Sequence, residues 1–149
     1  MTGRANLRER LANTLPQIAP QLSAEQVLAY WFRQDSLLDH ELLDNLAALR
    51  HGGLLVYLAT NQEHERARYL METLGLAAHV DGCHYSAAVG HCKPTPEFFD
   101  AVARKVGLPA GELLLVDDSE ENVRAAIAAG WQAAHWTGRQ RMSDLIVRR

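Results

Sequence analysis

Cysteine is scarce: 149 residues carry two, Cys83 and Cys92. A disulfide framework needs more, so a reduced intracellular protein is expected, most simply in the cytosol. Long apolar runs are also missing. The longest fall far short of a membrane span, and no membrane association is expected. The start, Met1-Thr2-Gly3-Arg4, leads into a charged stretch without an apolar core, which argues against a secretory signal. Neither sign of charge dominates, because 15 basic and 18 acidic residues leave a formal net charge of -3. Nothing in that balance points to nucleic acid as a partner. Repeats and low-complexity linkers are absent. What is present is 48% hydrophobic and 22% charged residues, enough to bury a core, at a length that fits one domain.

The first third reads as helices. Leu7, Leu11 and Leu15 recur at helical spacing from Asn6, and Pro16 and Pro20 are expected to break that helix. Ser23 followed by Gln26 is a capping-box pattern, opening a helix through about Arg33. Asp39 can cap a third helix with Leu42, Leu43, Leu46 and Leu49 on one stripe, stopped by Gly52-Gly53. The pattern then changes. Leu54 to Ala59 is a continuous apolar run, as in a strand buried on both faces. Thr60-Asn61 ends it, and a helix follows from about Glu63 to Leu74. An extended piece reaches Tyr85-Ser86. Thr95-Pro96 opens a helix to about Val106, with Gly107 after it. Leu113 to Val116 is a second buried strand ending at Asp117-Asp118. Ser119 caps the next helix, and Ala133 to Trp136 is a last short strand.

This alternation predicts an α/β fold, a Rossmann-like parallel sheet with flanking helices, preceded by a helical segment. The expected division is a helical front over residues 1–52, an α/β body over 53–138 and a basic tail over 139–149. Ligands of such sheets bind beyond the carboxyl ends of the strands. Thr60, Asn61, Asp117 and Asp118 therefore belong to one edge.

Two adjacent carboxylates after a buried strand repel each other and resist desolvation. A hard cation such as magnesium would resolve both problems; an ordinary loop with one aspartate capping a helix is the plainer account. Thr60-Asn61 could meet a phosphoryl oxygen beside a helix N-terminus, or could be a simple turn. Lys93, one of only two lysines, sits beside Pro94, where a compact ammonium could balance a phosphate or carboxylate; a solvated surface lysine is the commoner case. His79, Cys83, His84, His91 and Cys92 lack the spacing of a zinc site and are read as scattered histidines and small thiols.

Their order is more specific than any one feature. An apolar strand ending in Thr60-Asn61, then Ser86-x-x-x-Gly90-x-x-Lys93-Pro94 with Phe98-Phe99, then Leu-Leu-Leu-Val-Asp117-Asp118-Ser119-x-x-Asn122, resembles the second, third and fourth motifs of the haloacid dehalogenase-like hydrolases. The resemblance covers about residues 54–136, and the helical front is similar to that family's cap. It implies a magnesium-dependent phosphatase acting on a small phosphorylated molecule through an aspartyl-phosphate. Thr60 and Asn61 would bind the phosphoryl group, Lys93 would balance charge between nucleophile and phosphate, and Asp117 and Asp118 would hold magnesium.

The chain departs from the family pattern in one respect. The family's first motif, Asp-x-Asp after an apolar strand ahead of the cap, is not found before residue 54. Asp35, Asp39 and Asp44 lie in helical context, and Asp81-Gly82 follows the threonine motif. The sequence therefore predicts an N-terminally truncated form that is inactive or nearly so, or else a non-catalytic protein binding a phosphate ligand or a partner on the same scaffold. The resemblance places the missing strand centrally, between those ending at Thr60 and Asp117. Its absence predicts open strand edges and self-association or marginal stability.

Overall fold

A computed structural model describes residues 2, 3 and 5–146. The helical front contains α1 (Leu7–Ile18), α2 (Ala24–Gln34) and α3 (His40–His51). The caps read from sequence form as expected. The Ser23 hydroxyl accepts the Gln26 N–H and the Gln26 side chain accepts the Ser23 N–H, while the Asp39 carboxylate accepts the Leu42 N–H. The break expected at Pro16 does not occur: α1 runs through it to Ile18. Pro16 lies in the last turn, where its missing N–H removes one bond and little of the helix remains to be disrupted. The next turn still closes, from the Ala19 N–H to the Leu15 carbonyl.

The body follows as β1 (Tyr57–Thr60), α4 (His64–Arg68) continuing into a π-helical turn over Tyr69–Thr73, β2 (Gly82–Tyr85), α5 (Ser86–Val89), α6 (Pro96–Val106), β3 (Leu114–Asp117), α7 (Glu120–Ala128) and β4 (Gln132–His135). A short α8 (Met142–Leu145) packs against α3. The expected strand from Leu54 is shorter than predicted. Leu54 and Leu55 are 41% and 63% exposed, and the Val56 N–H is taken by the Asp81 carboxylate at 2.8 Å. Without a partner strand, an apolar run does not become a strand on its own. The apolar patch of the tail, Leu145-Ile146-Val147, lies partly outside the described residues.

All strand pairing is parallel. β1 pairs with β2 from Tyr57↔Gly82 to Thr60↔Tyr85, and β3 pairs with β4 from Leu114↔Gln132 to Asp117↔His135. Among the described residues these remain two separate two-stranded sheets. A groove of about 690 Å³ separates them, lined along its length by β1 with its lead-in and by β3. The core lies beside the second pair. Phe98 and Phe99 are fully buried with Val102, Leu115, Ala126 and Trp131, and Phe99 meets Trp131 edge-on at 5.7 Å. α6 supplies half of this cluster, Phe98, Phe99 and Val102. Pro96 starts it, Glu97 stands in its first turn, and Arg104 and Lys105 stand in its last, matching the helix dipole at both ends. Gly107, at φ +77°, turns the chain out of the helix.

Candidate functional site

The carboxyl ends of β1 and β3 meet through one loop residue. Asn61, directly after β1, reaches Lys93 with both ends of its amide: Nδ2 donates to the Lys93 carbonyl and Oδ1 accepts the Lys93 N–H, each at 2.8 Å. The Lys93 ammonium then donates to Oδ2 of Asp117 at the end of β3. This ion pair is buried, with side-chain exposures of 9% and 6%. The expected edge therefore exists. Asn61, Lys93 and Asp117 form one connected chain, and Thr60 lines the groove at the same end.

Asp117 is the hub. Its other oxygen accepts the Ser119 N–H and the Asn122 side-chain amide, each at 2.9 Å. Burial alone would push its carboxyl pKa up. The hydrogen bonds from Lys93, Asn122 and Ser119, with the charge of Lys93, outweigh that and hold it below the ordinary carboxylate range. Asp117 is thus an anion already turned toward protein donors. Asp118 differs: its side chain is exposed, and its carbonyl accepts a ring N–H from His135 at 2.9 Å. Ser119 caps α7 by accepting the Asn122 N–H, so neither aspartate is needed for that cap.

Magnesium prefers hard oxygen ligands, holds few protein groups and keeps waters for a substrate phosphate. Asp118, exposed beside an ionised Asp117, fits that chemistry as a partial shell. Among the described residues no group of three or more His, Cys, Asp or Glu could hold a metal. The zinc-like residues do not gather either, and burial pushes the Cys83 thiol up to about 11, unlike a metal-ready thiolate. Of the other aspartates, Asp81 takes Arg50 through three contacts of 2.7 to 3.2 Å and so ties α3 to the entrance of β1.

A model described as haloacid dehalogenase-like hydrolase matches residues 1–130. The chain belongs to the haloacid dehalogenase-like hydrolases. It is 35% identical over 98 residues to the phosphate metabolism protein 8 of Saccharomyces cerevisiae, covering 60% of this chain and 30% of that protein. It is 34% identical over 99 residues to a sesquiterpene phosphatase of Aspergillus oryzae, covering 66% and 50%. To a phosphoglycolate phosphatase of Salmonella paratyphi A it is 34% identical over 87 residues, covering 58% and 34%. The chain thus matches 30% to 50% of the length of these relatives. Among solved structures, a family enzyme of Bacteroides thetaiotaomicron in complex with magnesium and inorganic phosphate superposes with a TM-score of 0.83 at 23% identity, over 98% of this chain and 76% of that one. An L-2-haloacid dehalogenase of Xanthobacter autotrophicus gives 0.63 at 24%, over 86% and 52%. These likenesses establish the α/β family fold.

Sequence reasoning missed Arg66. This arginine, 2% exposed, rises from α4 just past the Thr60-Asn61 loop. It donates to the carbonyl of Phe32 at 2.9 Å, to the Ser36 hydroxyl at 3.1 Å and to the carbonyl of Asp35. Its guanidinium lies over Phe32 and Tyr69, at 5.2 and 5.4 Å from the ring centres. A fixed cation thus closes the negative end of α2 and fastens the helical front to the element that follows the site loop. No local pattern announces this, since its partners lie 30 to 34 positions away.

Proposed function

We propose that this chain carries the phosphate- and magnesium-binding part of a phosphomonoester hydrolase site. One observation carries the reading: Asn61, Lys93 and Asp117 are joined into a single charged unit where two parallel strands end. In that unit Lys93, oriented by Asp117, is the cation for an incoming phosphoryl group. Thr60 and Asn61 offer a hydroxyl and amide at the same edge. Asp118, with Asp117 behind it, supplies hard oxygens for magnesium. Magnesium, when bound, offsets negative charge on the transferring group. The substrate class is a small phosphorylated molecule, with residues 1–52 acting as a cap over an α/β body of residues 53–138. Two free thiols, Cys83 and Cys92, suit a reducing compartment, and we place the protein in the cytosol.

The reading leaves the attacking carboxylate outside residues 2–146. Asp117 is committed to three donors, and Asp35, Asp39, Asp44 and Asp81 serve helix ends, helix surface or Arg50. The chain by itself is therefore expected to bind without turning over. The same observation favours a second reading, a non-catalytic binder of phosphate ligands or of a partner on this scaffold. Open strand edges also favour self-association. The test is magnesium-dependent hydrolysis of a generic phosphate monoester by the chain, beside Asp117→Asn. No turnover in either is expected. Turnover that the substitution abolishes would mean that a nucleophile lies among residues read here as structural.

A further inference from the structure

Asp117 and Asp118 leave β3 side by side and are held in opposite ways. The Asp117 carboxylate is buried and taken by Lys93, Ser119 and Asn122. The Asp118 side chain is exposed, and what is fixed there is its main chain. β4 supplies the fixing. Asp117 lies opposite His135 in the parallel register, so the residues that end β4 stand beside the turn that follows β3. The Trp136 N–H donates to the Asp117 carbonyl at 2.8 Å. One residue on, Nε2 of His135 meets the Asp118 carbonyl at 2.9 Å. A carbonyl only accepts, so the proton of this bond sits on Nε2.

The ring is itself held. The Glu120 carboxylate, in the first turn of α7, lies 4.0 Å from Nδ1. Behind the ring, the Gln140 amide donates to the His135 carbonyl at 3.2 Å. Oε1 of Gln140 accepts the Thr137 N–H and hydroxyl, which closes the end of β4 into a tight loop. Neither neighbouring element needs the His135 contact for its own bonds. Ser119 caps α7 through the Asn122 N–H, and β3 pairs with β4 through the main chain. Water would satisfy an exposed turn carbonyl as well as a ring N–H does, so the ring adds shape rather than a missing bond. That shape bears on the exposed carboxylate. Magnesium demands near-octahedral geometry and gives up water reluctantly. A carboxylate on a mobile turn must lose backbone freedom as it binds, and a turn fixed beforehand removes that loss. Groups that orient a metal ligand from behind change affinity by about ten- to a hundredfold.

We propose that His135 is a positioning residue for magnesium: its ring N–H fixes the Asp118 main chain and so pre-sets the Asp118 carboxylate as a ligand. That role rests on the reading of Asp118 as a magnesium ligand and needs no phosphate. Glu120 and Gln140 act one step further back, by holding His135.

The test titrates the full chain with magnesium chloride alone and follows the amides by NMR, with manganese as a broadening probe that locates the ion. In the parent, shifts are expected to saturate at Asp118 and Ser119, and Asp118→Asn is expected to remove them. His135→Phe keeps a flat ring without the donor and is expected to raise the magnesium Kd by about tenfold or more. His135→Gln, whose amide reaches the same carbonyl, is expected to keep the parent's Kd. Melting temperature is followed in each, because a ring that only braces the fold would lower it in His135→Phe and leave the Kd in place. An unchanged Kd in His135→Phe, or a Kd in His135→Gln as weak as in His135→Phe, overturns the proposal. Should His135→Phe fail to fold, His135→Asn carries the test, since its amide is too short to reach and the same rise is expected. No magnesium response at Asp118 in the parent removes the magnesium reading and the role of His135 together. Magnesium held at Asp118 and weakened in His135→Phe, with no response to inorganic phosphate added afterwards, leaves the role of His135 standing and removes the hydrolase reading.

Discussion

The two sheets are built alike and buried unequally. Each is a parallel pair of four-residue strands. β3 lies against Phe98, Phe99 and Trp131, and its Leu115 and Asp117 are buried. β1 and β2 are half-buried along their whole length, and the lead-in to β1 leaves Leu54 and Leu55 in solvent. The apolar content of Leu54–Ala59 is no lower than that of Leu113–Val116. The difference therefore lies in what each strand meets. Burial is a property of the neighbours as much as of the strand.

The sharpest way to break the comparison is to remove a core group from one side and its apolar counterpart from the other. Phe99→Ala should lower unfolding free energy by about 4 kcal/mol, while Leu55→Ala should stay within about 0.5 kcal/mol of the parent. Urea unfolding of both variants measures this. Equal losses would mean that the first sheet is packed as firmly as the second.

Next in size is the buried pair that links the two sheets' ends. Lys93→Met strands Asp117 without its cation and should cost about 3 kcal/mol. The same pair governs the acid limb of stability. Asp117 is held below its ordinary range in the fold, so its contribution is complete above its unfolded value of about 4 and is lost as pH falls through the folded value. Stability of the parent should drop on acidification below about pH 4, and Lys93→Met should show a weaker acid dependence. Urea midpoints across that range decide the point, and an unchanged acid limb would count against the pair.

Arg66→Ala should cost about 2 kcal/mol through lost charged hydrogen bonds, and should speed proteolysis within α1 and α2 more than within α6. Smaller still, Asp39→Ala should cost about 1 kcal/mol as a lost N-cap, read as a modest fall in melting temperature.

Local chemistry was legible in the sequence. Ser23 with Gln26, Asp39, Ser119, Pro96 and Gly107 mark their helix ends because a cap acts within three residues. The parallel α/β class was legible from periodicity, and the shared edge of Thr60, Asn61, Asp117 and Asp118 followed from the rule that such strands end together. The pairing itself was not legible, since Lys93 and Asp117 are 24 positions apart and the orienting amides of Asn61 and Asn122 become visible only in three dimensions. Pro16 does not end α1, because a proline in a last turn removes little. Leu54 and Leu55 form no strand, because apolarity alone supplies no partner, and both remain exposed. Arg66 left no trace at all, since an arginine on a short helix is ordinary until its distant carbonyls appear.

The edge that carries Thr60, Asn61, Lys93 and Asp118 is expected to receive a phosphoryl group and magnesium. Titration of the chain with inorganic phosphate and magnesium, followed by amide NMR, tests this directly. Shifts concentrated at Thr60, Asn61, Lys93 and Asp118, with the magnesium dependence lost in Asp118→Asn, are expected. Shifts scattered elsewhere, or none at saturating phosphate and magnesium, would contradict it.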